Sequence, residues 1–200
     1  MNIAVEGSNR LINEADPLTD GIKSRAGNVT ISGTGSLSVS VSNCGLSSSG
    51  TLTIKSGDIT TTTTADAPTG IAAVTVEITG GTVSATGKDK GIDTVNAMIS
   101  GGEVSAESTD RDGIYASQNI VISDGTVKAT GKEGGIKADT GSVSISVGTV
   151  TAEGTGDNSA EDSIFLSVIP RIEKPEKNRI AEILKSAKDF QSSVSMTLYA

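Results

Sequence analysis

Apolar and polar residues alternate along most of the chain, and from Gly70 to Gly154 the alternation returns in register every 21 or 22 residues. Four consecutive segments there open on a Gly-Ile step, at Gly70, Gly91, Gly113 and Gly135. A period of two is typical of β-strands, and a repeat of about twenty residues is typical of a solenoid. The pattern therefore predicts short strands wound into a repeating coil.

Three columns of apolar residues emerge when the repeats are aligned from Gly21 onwards. The first column contains Ile22, Leu46, Ile71, Ile92, Ile114, Ile136 and Ile164. The second contains the pairs Val29/Ile31, Leu52/Ile54, Val76/Ile78, Ala97/Ile99, Ile120/Ile122 and Val143/Ile145. The third contains Leu37/Val39, Ile59/Thr61, Val83/Ala85, Val104/Ala106, Val127/Ala129 and Val150/Ala152. Three strands per repeat predict three walls, on each of which equivalent strands stack in parallel.

A glycine also lies two residues before the third column in each of six repeats, at Gly35, Gly57, Gly81, Gly102, Gly125 and Gly148. Such regularity predicts a tight corner with positive φ or with no space for a Cβ. We therefore expect an all-β fold, a three-sided, right-handed parallel β-helix with coils of about 22 residues.

The composition changes near Pro170, which predicts a β-helix over residues 1–170 and a separate C-terminal segment over 171–200. Apolar residues recur there at helical spacing, at Ile180, Ile183, Leu184, Ala187 and Phe190. This helix is expected either to cap the last coil or to bind a partner, and the final VSMTLYA alternates like a strand.

Composition and charge narrow the range of partners. Only 2% of residues are aromatic, so the interior is expected to be narrow, and the net charge is −8 with lysines and arginines scattered singly. Without a basic stripe, nucleic acid and anionic membranes are poor partners. No apolar run is long enough for membrane insertion. The single cysteine, Cys44, is expected to be a small buried hydrophobe, since the chain has no histidine to activate it.

One row of outward residues stands out beside the first column. Asp93, Tyr115 and Lys137 follow Ile92, Ile114 and Ile136, so they should stack on adjacent coils about 4.8 Å apart. A carboxylate, a phenol and an amine in line could hold a sugar, with the Tyr115 ring as a stacking surface. The same three residues could instead form a charge ladder that only stabilises the sheet.

Acidic residues in the corners before the Gly-Ile steps suggest a metal site. Asp89, Asp110 and Asp112 are candidate ligands for calcium, which prefers several oxygen donors at a turn. The neighbouring lysines and arginine could neutralise the same acids without metal. Both Asp110 and Asp112 are expected at a solvent-facing corner. For hydrolysis, the nearest plausible companion of Asp93 is Asp112.

A further surface lies on the third wall, where hydroxyl residues point outward in two columns. The first contains Ser38, Thr60, Ser84, Ser105 and Thr151, and the second contains Ser40, Thr62, Thr86 and Thr130. A flat hydroxyl array is a candidate for ordering water or ice. Lys128, Glu107 and Glu153 interrupt it, and ordinary solvated strands are also rich in serine and threonine.

The run NVTISGTGSLSVS at residues 28–40, followed by repeated I-x-G-G-T-V-x-A and D-G-I steps, resembles bacterial extracellular carbohydrate-binding domain-containing proteins. The resemblance covers roughly residues 1–170. It implies a β-helix shaped like pectate lyases, binding of plant cell-wall polysaccharides, notably acidic ones, and calcium in loops between coils. The first residues, MNIAVEGSNR, show no signal peptide, but the resemblance implies an extracellular or bacterial cell-surface location.

The function expected from the resemblance is therefore a non-catalytic, monomeric module that binds polysaccharide. Two other classes stay open. One is a purely structural stalk or adhesin segment of a surface protein, which the scarcity of aromatic residues favours. The other is a polysaccharide lyase or hydrolase, which would need suitably placed acids and bases.

Overall fold

The computed structural model describes residues 1–13, 18–65, 68–156 and 194–197. Every regular element in those ranges is a β-strand. None of the residues described forms a helix long and apolar enough to cross a membrane. The first eight strands are β1 (Asn2–Val5), β2 (Ser8–Asn13), β3 (Ile22–Ser24), β4 (Val29–Gly33), β5 (Ser36–Val41), β6 (Leu46–Ile54), β7 (Asp58–Thr63) and β8 (Thr69–Ile78). The next eight are β9 (Thr82–Gly87), β10 (Lys90–Ser108), β11 (Asp112–Ala116), β12 (Ile120–Gly131), β13 (Gly134–Ala138), β14 (Val143–Ile145), β15 (Thr149–Gly154) and β16 (Val194–Thr197).

Equivalent strands of successive turns pair in parallel, and the pairings form three series. The first series runs through β3, the starts of β6, β8 and β10, then β11 and β13. The second runs through β1, β4, the ends of β6 and β8, the middle of β10, the start of β12, and β14. The third runs through β2, β5, β7, β9, the ends of β10 and β12, and β15.

The register gives the length of a turn directly. Ile92 pairs with Ile114, and Ile114 pairs with Ile136, so one turn takes 22 residues there. The predicted all-β parallel solenoid is therefore confirmed, with about six turns. Its right-handed winding and its three-sided cross-section stay predictions.

Stacked aliphatic side chains fill the interior. Ile99 pairs with Ile122, which pairs with Ile145, and the first two are 1% and 0% exposed. Burying an isoleucine stabilises the fold by about 1.5–3 kcal/mol, so the predicted columns provide the main driving force. Thr61 is an exception within the third series, because it is fully buried and its hydroxyl has no hydrogen-bond partner among the residues described.

The recurring glycine before the third series is explained by its backbone. Gly102 has a φ of +84°, and a Cβ there would lie 2.6 Å from the carbonyl oxygen of Gly81 in the preceding turn. Four equivalent glycines also have positive φ, namely Gly57, Gly81, Gly125 and Gly148. Gly35 does not, but a Cβ at that position would collide with the backbone of Gly7. Both predicted reasons for the glycine are therefore found at this corner.

The single cysteine lies inside the coil, as predicted. Cys44 is 8% exposed, and its Sγ lies 3.3 Å from the carbonyl oxygen of Leu46. Burial raises the pKa of the thiol to about 12, and the negative charge of Asp20 adds to this. The thiol therefore stays protonated and packs as a small apolar group.

At the end of the solenoid, β16 pairs antiparallel with β15, with Met196 opposite Val150. It is the only antiparallel strand among those described, and it covers an edge that β15 would otherwise leave open. Within the final VSMTLYA, the structure has a strand at Val194–Thr197. The predicted helix, and the boundary at residue 170, lie outside the described residues.

The hydroxyl residues of the third series are aligned by the same registers. Ser38 pairs with Thr60, Thr60 with Ser84, and Ser84 with Ser105. Lys128 follows Ser105 in the next turn and interrupts the array. Ice binding stays a prediction.

Candidate functional site

Asp93, Tyr115 and Lys137 lie side by side on the first strand series. Asp93 of β10 pairs with Tyr115 of β11, which pairs with Lys137 of β13. Each residue follows a buried isoleucine, so strand alternation turns its side chain outward. All three are half-buried, and the strand spacing of about 4.8 Å sets their separation along the rod. The fold therefore brings together the predicted row, whose contact with a ligand stays a prediction.

The row is organised by a residue that the sequence pattern did not single out, Lys90 at the start of β10. Lys90 is only 7% exposed. Its Nζ donates hydrogen bonds to Asp89 Oδ2 at 3.0 Å and to Asp93 Oδ2 at 3.2 Å. The same ammonium lies 4.9 Å from the centre of the Tyr115 ring, within the range of a cation–π interaction. Burial lowers the pKa of Lys90, but the two carboxylates outweigh it and hold the pKa above its ordinary value.

Arg111 extends this charge network into the next turn. Its Nη1 lies 3.7 Å from Asp89 Oδ1, and its Nε lies 3.7 Å from Glu133 Oε2. Asp89 is therefore shared by two cations, Lys90 and Arg111. The chain of alternating charges runs from Asp93 through these residues to Glu133, across three turns of the solenoid.

A buried hydroxyl fixes the corner that carries these charges. Ser108 Oγ lies 2.8 Å from the carbonyl oxygen of Asp89 and 3.0 Å from that of Lys88, either of which can accept its proton. The same Oγ accepts hydrogen bonds from the backbone N–H groups of Asp110 and Arg111. Two successive corners are thereby joined through one side chain, which limits how far Asp89 and Arg111 can move apart.

Asp112 does not lie where we expected it. Its relative exposure is 0%, and among the residues described neither carboxyl oxygen has a hydrogen-bond partner. The expectation of a solvent-facing corner is wrong for this residue, because Asp112 lies two positions before the inward Ile114 on the same face of β11. Burial raises the pKa of Asp112 to about 6, against the opposing charges of Lys137, Arg111 and Lys90.

The predicted calcium ligands lie in three different environments. Asp89 is paired with Lys90 and lies near Arg111, Asp110 is exposed, and Asp112 is fully buried. Within the described part of the chain, no group of three or more acidic, cysteine or histidine side chains is arranged to hold a metal ion. The donor set as placed does not fit calcium, and calcium binding stays a prediction without support from this geometry.

Comparison with protein families decides what kind of molecule carries this row. A family model described as carbohydrate-binding domain-containing protein matches residues 3–186 of the 200-residue chain. The chain belongs to this family. No curated protein and no solved structure gives a significant match. Membership supports a carbohydrate-binding role and confirms the resemblance seen in the sequence, whereas the likeness to pectate lyases stays a prediction.

The structure also bears on catalysis by this carbohydrate-binding domain-containing protein. The candidate acid pair was Asp93 with Asp112. The carboxyl oxygens of Asp112 have no access to solvent, and Asp93 accepts a hydrogen bond from Lys90. A glycosidase needs both carboxyl groups to face the scissile bond, so this pair does not have the geometry for hydrolysis.

Two residues that organise the row and its corner were not singled out from the sequence, namely Lys90 and Ser108. A signal for Lys90 exists, because Lys90 and Asp112 occupy the same position of the repeat and pair across β10 and β11. That position lies two residues before an inward isoleucine, so a charged residue there is a candidate for burial. Ser108 ends β10 two residues beyond the inward Ala106, opposite Gly87 of the preceding turn, so strand alternation marks it for burial as well.

Proposed function

We propose that this chain is a non-catalytic module that binds polysaccharide along the row of Asp93, Tyr115 and Lys137. One observation carries the proposal. Tyr115 is the only aromatic residue in the described ranges, and it lies at the centre of the row. An aromatic ring offers the apolar surface on which a sugar ring packs.

The environment of Tyr115 defines how a ligand would approach. The Lys90 ammonium lies over one face of the ring, so a sugar stacks on the opposite face. Hydroxyl groups of the same sugar would then lie within reach of the Asp93 carboxylate and the Lys137 ammonium on the neighbouring strands. Strand spacing, rather than loop conformation, fixes these distances, so the row is ordered before the ligand arrives.

The charges favour an acidic glycan over a neutral one. Lys90 and Arg111 are engaged with carboxylates, whereas Lys137 forms no hydrogen bond or ion pair with another described residue. Lys137 is therefore the cation available to a uronate. The net charge of −8 repels a polyuronate at long range, so a local cation is needed at the contact. Acidic plant polysaccharide is the ligand class we propose, met outside the cell or at a bacterial surface.

Titration with polygalacturonate and with a soluble neutral glucan tests the proposal. We expect wild-type protein to bind the polyuronate more tightly than the glucan. Tyr115→Leu should weaken binding by about tenfold, the upper end of the value of an aromatic contact. Lys137→Met should weaken binding of the polyuronate but not binding of the neutral glucan. Lys55→Met is the matched control, because Lys55 is exposed and follows a strand of the second series.

Calcium is tested in the same titrations. A bridging divalent cation is the other way for an acidic protein to hold an acidic glycan. Binding that disappears in chelator would support that mechanism, with Asp110→Asn as the variant to examine. Unchanged affinity of Tyr115→Leu for both glycans would contradict the proposed row.

A structural stalk is the second candidate function, because only 2% of the residues are aromatic. The two functions differ in one measurable property. Absence of binding to any glycan on a broad array at millimolar calcium would favour the stalk, whereas selective binding of acidic glycans would favour the binding module.

A further inference from the structure

We propose that Lys90 is the positioning residue of this row, a built-in cation that anchors Asp93 and the Tyr115 ring and makes calcium unnecessary there. The inference rests on the proposed function, since it concerns how the same row is held ready for a glycan. It differs from the expectation of calcium between coils, because the cation is part of the chain.

Three groups from different places in the fold meet at one ammonium. Asp89 lies in the corner before β10, Asp93 lies on β10, and Tyr115 lies on β11. The Nζ of Lys90 lies 3.0 Å from the first carboxylate, 3.2 Å from the second and 4.9 Å from the ring centre. A single side chain therefore fixes the carboxylate and the ring of neighbouring turns relative to each other.

Burial makes this anchor rigid. Lysine is rarely buried unless it is paired, and Lys90 is 7% exposed with both carboxylates as partners. A side chain held on three sides has little rotational freedom left to lose when a ligand binds. Pre-organisation of this kind raises affinity by lowering the entropic cost of ordering the site.

The same contacts leave no reason for a metal ion at this position. A divalent cation that bridged Asp89 and Asp93 would have to displace the ammonium that already contacts both carboxylates. Arg111 adds a second positive charge beside Asp89. Two cations next to that carboxylate repel a third, so glycan binding should proceed equally well in chelator.

The test compares polygalacturonate binding by wild type, Lys90→Met and Lys90→Arg, each in chelator and in millimolar calcium. In wild type we expect the same affinity in both buffers. Lys90→Met keeps the length of the side chain but loses its charge, and it should bind about tenfold more weakly in chelator. Lys90→Arg should recover most of the affinity. Lys55→Met removes an equal charge elsewhere and should match wild type.

Calcium response separates positioning from a general loss of stability. In Lys90→Met the carboxylates of Asp89 and Asp93 lose the cation that they share, so added calcium should partly restore binding. A purely structural defect would give neither this response nor rescue by arginine. Lys90→Gln, which keeps a hydrogen-bond donor, replaces the methionine variant if the latter does not fold.

Each outcome is decisive. Wild-type affinity that collapses in chelator, or Lys90→Met that binds like wild type in chelator, would refute the role of Lys90 while leaving the proposed function standing. Absence of wild-type binding in both buffers would refute the proposed function, and the role of Lys90 with it. Equal weakening of the methionine and arginine variants, without a calcium response, would show that Lys90 only supports the fold.

Discussion

Replacing Asp112 with asparagine should make the stability of the protein less sensitive to pH. The wild-type carboxyl group is fully buried, and neither oxygen has a partner within the residues described. Its pKa is raised by burial from 3.8 to about 6. Asparagine has nearly the same shape but no ionisable group, so the comparison isolates the effect of charge.

The sign and size follow from the two pKa values. An acid whose pKa is raised on folding contributes stability that is fully present below its unfolded pKa of about 4, and that is lost as pH rises through about 6. The difference of about two pKa units, at about 1.4 kcal/mol each, corresponds to about 3 kcal/mol. Asp112→Asn should therefore resemble wild type near pH 4 and be more stable by up to about 3 kcal/mol at pH 7.5.

Urea unfolding followed by circular dichroism at several pH values between 4 and 8 gives the required free energies of unfolding. Asp110→Asn is the matched control, because it removes the same charge from an exposed residue two positions away. We expect its stability to change with pH in parallel with wild type. If the curve of Asp112→Asn also ran parallel to wild type across this range, the burial penalty inferred for the ionised Asp112 would be refuted.

Two further predictions concern the solenoid itself. Ile122→Ala should lower the free energy of unfolding by about 2–5 kcal/mol, because it opens a cavity in a fully buried column, whereas Val121→Ala next to it, 39% exposed in wild type, should change it by about 0.5 kcal/mol or less. Equal losses from both would contradict the stacked column. Gly102→Ala should lower the free energy of unfolding by about 2 kcal/mol or more, because the strain at positive φ adds to a collision with Gly81. Gly27 has a comparable φ but lies in open space, so Gly27→Ala should lower the free energy of unfolding by only about 1 kcal/mol. Urea titration measures both pairs, and equal costs at the two glycines would exclude the collision as a cause.

The sequence by itself determined the solenoid and its register. A coil that stacks on copies of itself places every inward residue beside its equivalent one turn away, so Ile92, Ile114 and Ile136 reveal the pairing through their spacing alone. The sequence also predicted the outward row of Asp93, Tyr115 and Lys137, because each of these residues comes directly after an inward isoleucine. Strand alternation is a local property of the backbone, and it needs no knowledge of the rest of the fold.

Only the tertiary structure decided what the charged corner does. Lys90 and Asp112 occupy the same position in successive turns, yet the polar ends of their side chains lie in different surroundings. The long lysine side chain reaches from a buried position to the carboxylates of Asp89 and Asp93, whereas the short aspartate side chain stays buried without a hydrogen-bond partner among the residues described. Periodicity gives the face on which a residue lies but not how far its polar end can reach. That distance depends on the packing of three turns at once, which is why periodicity alone could not show that Asp89 pairs with Lys90 whereas Asp112 lies in the interior.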